Sequence, residues 1–324
     1  MRQPFQALLE SDPAVDEVIS LSISSTSEPG AGPTAWFKAG RATFSNLWRL
    51  RKRFKNASYD LILDLHASFR SALLGMTNPG GYRIGFADAR EGNSLVQDYR
   101  IKVGDRKIHA LDKNLFFCNY LGCPAQEVDF YLSFSKEDDL AANNFLNGIA
   151  GSDGRRIIYF NPAARWSTKY WDPEKWALLG DRLNREYDSL IILAGSKGDR
   201  EYLSRISGLM KGKAAVTAGK LSLPAIAALM AKTDVYVGLD SGPMHMAAMA
   251  GIPVVALFGP TNPELVRPYK VRHRIVRNQD INCLGCRKRN CKSLACMRGI
   301  SVDQVYEAVL ELNPGKPPDP GSEP

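Results

Sequence analysis

The sequence predicts an α/β fold of two domains, each a parallel sheet covered by helices on both faces. Three observations lead there. The 324 residues are more than one typical core accommodates. Short apolar segments rich in Val, Ile and Leu alternate with longer stretches whose apolar residues fall at helical spacing, as in βαβ units. Several of those segments run into polar or glycine-rich loops, where open parallel sheets meet their ligands. The glycine-rich segment 148–155 (GIAGSDGR) sets the boundary between domains 1–150 and 151–312. Residues 313–324, containing PGKPPDPGSEP, read as a disordered tail.

In the first domain, 15–21 (VDEVISL) reads as a strand and 22–34 as a Ser/Gly/Pro-rich loop. Segment 42–54 reads as a helix with Phe44, Leu47, Trp48 and Phe54 on one face. Arg49, Lys52, Arg53 and Lys55 surround that face. Segment 59–65 (YDLILDL) is an apolar strand, 68–74 begins a helix, and 109–121 is a helix striped by Leu111, Leu115 and Phe116. In the second domain 157–160, 190–194, 234–239 and 253–258 are strands. Asp172 and Pro173 suit an N-cap and the first helical position. Ser222 caps a helix bearing Leu223, Ile226, Ala227 and Met230.

The formal net charge is +8. It points to an anionic partner, whether nucleic acid, a phosphorylated small molecule or a membrane surface, or it serves solubility alone. No segment approaches the ~20 apolar residues of a membrane-spanning helix. Met1-Arg2-Gln3-Pro4 carries no apolar core of a secretory signal, so a cytoplasmic location is expected. Cys283, Cys286, Cys291 and Cys296 are separated by two, four and four residues, among Arg287, Lys288, Arg289 and Lys292. Such a cluster could close a zinc or iron–sulfur site, but free thiols are the favoured reading and no metal is assigned.

Three loops carry candidate chemistry. Asp240-Ser241-Gly242-Pro243-Met244-His245 follows a strand and opens a helix. Its N–H groups, with glycine allowing close approach, suit a phosphate. The same residues also suit plain helix capping, with His245 in the core. Loop 161–170 (NPAARWSTKY) brings Arg165 and Lys169, two cations able to stabilise a departing diphosphate. Gly195-Ser196-Lys197-Gly198 follows the strand LIILA and suits a ribose or base. None matches a P-loop or a GxGxxG fingerprint.

NPAARWSTKYWDPEKW, the LIILAG strand end and GKLSLPAIAALMAKTDVYVGLDSGPMHMAAMAGIPVVALFGPTNP together resemble glycosyltransferase family 9, the ADP-heptose:lipopolysaccharide heptosyltransferases. DLILDLHASFRSALL, GYRIGF and CMRGISVDQV are similar to further family segments, so the resemblance covers nearly the whole chain. It implies a GT-B architecture, two Rossmann-like domains facing a cleft, with ADP-heptose held by the C-terminal one. It implies inverting transfer to a lipopolysaccharide inner core of the Kdo-lipid A type, with neither metal nor cofactor. By motif, Asp240, Ser241, Gly242 and His245 would contact the diphosphate and ribose, and Lys169 matches the diphosphate lysine. Ala163 and Ala164, beside Arg165, stand where relatives often carry hydroxyls, leaving only their backbone to serve. Arg70 matches a basic residue facing donor sugar and acceptor. The position after Gly195 is often an acid that grips ribose; here it is Ser196, followed by Lys197. The basic helix is expected to lie peripherally on the inner face of the cytoplasmic membrane, and nucleic acid is not an expected partner.

The family begins with a strand, a loop ending in Gly-Asp and a helix, that aspartate being the general base. MRQPFQALLESDPAVDEVI is similar to the segment after the family's second strand, so the first β-α-β unit and the base are expected to be missing. Asp64 and His66 are the titratable residues that sequence places on that side. A chain so built would bind ADP, transfer heptose slowly or not at all, and tend to associate through an exposed strand. The alternatives to an enzyme are therefore a nucleotide-sugar-binding relative without its base and a zinc-bearing nucleic-acid binder. The last would show affinity falling steeply with salt.

Overall fold

The computed structural model describes residues 5–21, 33–104, 107–126, 130–149 and 154–312. The chain divides into two units, Met1–Asp129 and Phe130–Pro324. In the first unit, helices α1 (Ala7–Glu10) and α2 (Pro33–Phe54) precede β1 (Leu61–Leu63), α3 (Phe69–Gly75), β2 (Tyr82–Phe86), β3 (Tyr99–Ile101) and α4 (Ala110–Leu121). The strands form a parallel sheet in the order β1-β2-β3, pairing Leu61 with Tyr82 and Ile84 with Tyr99. Ile84, Phe86, Ile101 and Phe117 make its core.

Segment 15–21 is not the expected strand. Only Leu21 forms a bridge, and residues 15–20 are irregular. The segment is held by side chains instead: Ile19 and Leu21 pack with Leu50 and Phe54 of α2, and Glu17 pairs with Arg53. Helix α2 starts at Pro33, well before the position its apolar face suggested, because proline suits a first helical turn. Ser68 and His109 lie just outside their helices as N-caps, accepting from the N–H groups of Ser71 and Leu111. Most of the expected loop 22–34, part of the expected boundary and the whole tail 313–324 lie outside the described residues.

The second unit runs α5 (Lys136–Asn147), β4 (Arg156–Asn161), α6 (Pro173–Tyr187), β5 (Ser189–Leu193), α7 (Arg200–Leu209) and β6 (Ala214–Val216). It continues with α8 (Leu223–Met230), β7 (Val235–Leu239), α9 (Gly242–Met249), β8 (Val254–Leu257), α10 (Pro263–Val266), β9 (His273–Val276), α11 (Ala295–Arg298) and α12 (Val302–Leu312). Its six strands are all parallel, in the order β6-β5-β4-β7-β8-β9. β5, β7 and β8 are buried along their whole length, which explains their unbroken apolar runs. Trp176, Leu179 and Leu183 of α6 join Val305 and Val309 of α12 in one core with Ile158, Phe160, Ile191 and Val237.

The division falls before α5, ahead of the glycine-rich segment that sequence reading chose. Glycines mark a turn, whereas a unit boundary is set by which core a helix packs on. Helix α5 packs on α8, and the Lys232–Asp139 ion pair at 2.7 Å reinforces that contact. Asp138 serves two helix starts at once. Its Oδ2 closes the capping box with Ser135, and its Oδ1 accepts from the Ser222 hydroxyl at 3.0 Å. Among the described residues no helix is long and apolar enough to cross a membrane. Asp138→Ala is expected to lower stability by about 1–2 kcal/mol, read as a fall in urea midpoint with unchanged slope.

Candidate functional site

Strand order reverses at β4. β5 and β6 lie on one side of it, while β7, β8 and β9 lie on the other. The loops leaving β4 and β7 therefore part from each other and open a crevice at the carboxyl edge, where doubly wound sheets bind ligands. Lys169 and Asp240 meet there. The Lys169 ammonium donates to both the Asp240 carboxylate and its carbonyl at 2.7 Å, and both side chains are largely buried.

Each loop has its own support. Asn161, buried at the end of β4, donates to the Ala163 carbonyl at 2.9 Å and folds the chain back. Ala163 is buried, Ala164 half-buried and Arg165 exposed. A short 3-10 turn, Ser167–Lys169, then presents the lysine, whose ammonium lies 5.0 Å from the centre of the Trp166 ring. Beyond β7, Ser241 is extended and forms the N-cap position of α9, with Pro243 in the first turn. Asp240 and Ser241 do not cap the helix through their side chains. The carboxylate is turned to Lys169, and the Ser241 hydroxyl is buried without a hydrogen-bond partner. The Thr261 hydroxyl, in the turn after β8, is likewise buried and unpartnered. His245 is half-buried one turn into α9. A helix start, a cation and two waiting hydroxyls on neighbouring strand ends suit a phosphorylated ligand.

Thr261 was missed by sequence reading, since a lone threonine after a strand carries no spacing signal. Asp199 was missed too. The loop after β5 has Ser196 exposed, with its N–H and hydroxyl donating to Asp199 Oδ2 at 2.8 and 2.6 Å. An acid thus stands three residues beyond the position where one was sought, and the Ser-x-x-Asp capping pattern was its signal. Gly219, at φ 74°, lets the next loop press on this one; a Cβ there would lie 2.9 Å from that of Lys197.

The cysteine-rich segment is laid across the turn after β8. Gly285 and Arg287 donate to the carbonyls of Gly259 and Pro260, at 3.2 and 2.7 Å. The Thr168 hydroxyl donates to the Lys288 carbonyl at 3.0 Å, and Arg289 stands over the Trp166 ring at 4.8 Å. Gly259 is needed for this fit, because a Cβ would come within 2.8 Å of Cys296 Sγ. All the cysteines are free thiols, and among the described residues no His, Cys, Asp or Glu group is arranged to hold a metal ion. The N–H groups of Leu294 and Ser293 and the Ser293 hydroxyl hold the Cys291 thiol below its usual range, while burial pushes Cys296 up.

Arg70, Asp64 and His66 belong to the first unit. Arg70 is half-buried on the first turn of α3. Asp64 is buried and fully engaged. Its Oδ1 accepts from the N–H groups of His66 and Ala67, and its Oδ2 from Ser71, Asn93 and Gln97. That carboxylate fastens a turn. His66 is exposed, with Nδ1 2.8 Å from the Ser68 hydroxyl, and lines a cavity of about 490 Å³ beside Arg90, Glu91 and the Asp88–Lys113 pair.

Residues 47–296 match glycosyltransferase family 9 (heptosyltransferase). The chain belongs to that family. Among its relatives, the lipopolysaccharide core heptosyltransferase OpsX of Haemophilus influenzae is 28% identical over 242 residues, covering 74% of this chain and 67% of OpsX. Lipopolysaccharide heptosyltransferase 1 of Pseudomonas aeruginosa is 27% identical over 262 residues, 76% of this chain and 69% of that protein. This family 9 chain also shares its fold with a family 9 glycosyltransferase from Veillonella parvula, with TM-score 0.76, 22% identity and coverage of 96% and 86%. The E. coli heptosyltransferase WaaC with ADP superposes with TM-score 0.68 at 21% identity, over 96% of this chain and 88% of that one.

Removing one member of the buried pair strands the other. Asp240→Ala is expected to cost about 3 kcal/mol, and a double-mutant cycle with Lys169→Met to return a coupling of about 1–3 kcal/mol by urea unfolding. The lowered Cys291 thiol holds more thiolate at a given pH, so iodoacetamide followed by peptide mass spectrometry should label it at lower pH than Cys296.

Proposed function

We propose that this family 9 chain transfers a heptose from ADP-heptose to a lipopolysaccharide inner core of the Kdo-lipid A type. Transfer proceeds with inversion and without a metal, at the inner face of the cytoplasmic membrane. The observation that carries this reading is the buried Lys169–Asp240 pair at the reversal of strand order, flanked by the unpartnered hydroxyls of Ser241 and Thr261. The names of the relatives agree with it. OpsX is a lipopolysaccharide core heptosyltransferase, and WaaC is described with ADP.

The acceptor hydroxyl attacks the anomeric carbon opposite the diphosphate, its proton leaves to water, and the bond from that carbon to the phosphate oxygen breaks. Negative charge then grows on the leaving ADP. Lys169 neutralises it, with Asp240 holding the ammonium in place beforehand so that no reorganisation is needed during the step. Ser241 and Gly242 at the start of α9 and His245 one turn in hold the diphosphate, with Thr261 adding a hydroxyl. Backbone groups of Ala163 and Ala164 and the exposed Arg165 line the same edge. Asp199, steadied by Ser196, takes the ribose hydroxyls that an acid grips elsewhere. Arg70 and the cations around the His66 cavity serve the acceptor, whose phosphates and carboxylates match them.

Isothermal calorimetry should give ADP binding that Ser241→Ala and Thr261→Val each weaken. Lys169→Ala should cut turnover by ~100-fold or more, with a much smaller change in ADP affinity. Equal losses in both would reduce Lys169 to a binding residue, and no ADP binding at all would sink the reading.

A further inference from the structure

We propose that the outward face of α2 is a docking surface for an anionic phospholipid bilayer. The helix carries two opposite stripes. Ala39, Asn46, Leu50 and Phe54 are buried, and Leu50 and Phe54 pack with Leu21, Ile19 and Leu74. Phe37, Arg41, Phe44, Trp48 and Arg51, with Lys55 just past the helix end, recur at intervals of three and four and form the other stripe. Phe37, Phe44 and Trp48 are 76%, 72% and 64% exposed. Three large aromatics left in water on one helix face mark an interaction site.

Between α2 and α3 this face holds a groove of about 310 Å³, walled by Phe44, Leu47, Trp48, Leu73 and Met76 with Arg51 at its edge. Charge decides what covers it. Over residues 33–54 there is no aspartate or glutamate, while Lys38, Arg41, Arg49, Arg51, Lys52 and Arg53 are all cations. Arg49 and Arg53 are spent on the Ser20 carbonyl and Glu17. Arg41, Arg51 and Lys52 make no ion pair with an acid among the described residues, and Lys52 stands 5.7 Å from the centre of the Trp48 ring.

A second copy of the chain on this stripe would bring Arg41 towards Arg51 across a two-fold axis, with no acid to separate them. A bilayer satisfies both halves of the pattern. Aromatic rings enter at headgroup depth while long cationic side chains reach the lipid phosphates. A lipid-linked acceptor would be met at that same surface. The inference deepens the membrane part of the proposed function but does not depend on which sugar is transferred.

The test is co-sedimentation of the full chain with vesicles of phosphatidylglycerol and phosphatidylethanolamine, against vesicles of phosphatidylcholine alone. ADP calorimetry and sedimentation velocity are run on every variant. Binding to the anionic vesicles only, weakening as salt rises, is the expected result. R41E/R51E and F44S/W48S should each lower it by at least about tenfold while ADP affinity stays put. These side chains are exposed, so folding is not at stake, and unchanged ADP affinity checks that directly. Absence of anionic-vesicle binding, or binding that neither double variant alters, overturns the inference. So does a dimer that F44S/W48S dissociates, or an acidic protein that captures α2 while vesicles do not. Vesicle binding through α2 by a chain that fails to bind ADP would leave this inference standing and remove the proposed function.

Discussion

Lys169 and Asp240 can meet only because β4 and β7, far apart in sequence, lie side by side in one parallel sheet. Pairing of Ile158 with Val235 and of Asn161 with Gly238 brings the two strand ends level, and the following loops inherit that register. A slip of one residue would turn every side chain of β7 to the opposite face. The strand is buried along its whole length, so such a slip would exchange well-packed neighbours for clashes and voids on both faces. Packing at the centre of the sheet thus sets the geometry of charge at its edge. The pair has a cost, since two ions leave water, and attraction offsets it only where further hydrogen bonds join in. Here the Asp240 carbonyl takes a second bond from the same ammonium.

The cysteine-rich segment extends this edge. Its backbone is bonded to the turn after β8 and to Thr168, so it borders the loop that presents Lys169. The arginine at its centre shares the Trp166 ring with that lysine, and two cations beside one indole gather positive potential at this edge. The segment thus has a structural role in shaping the carboxyl edge of the sheet.

The first unit distributes its polar and apolar groups differently. Asp64, placed by sequence beside His66 as a titratable candidate, is consumed by five donors in a turn that Asn93 and Gln97 complete. Helix α2 presents cations to its surroundings and keeps its polar Asn46 inside. Leu61 and Leu63 are exposed on edge strand β1. The partners of this unit are therefore read from its surface, whereas the partner of the second unit is read from a crevice.

By itself the sequence determined the elements whose signal is local, together with the family. Continuous apolar runs marked β4, β5, β7 and β8. Ser222 announced α8, and Asp172 with Pro173 announced α6. The strand-turn-helix unit at Val235 to His245 was legible because its parts are contiguous in the chain. What tertiary structure alone decided joins residues that are distant in the chain. Lys169 and Asp240 stand 71 residues apart, and Thr168 and Lys288 stand 120 apart. No periodicity of 2 or 3.6 encodes such partners. The strands β2, β3, β6 and β9 escaped notice because three to five residues hold too little pattern to rise above a loop. Residues 136–147, which form α5, fell on the other side of the expected boundary because only the face of α8 specifies the unit to which they belong.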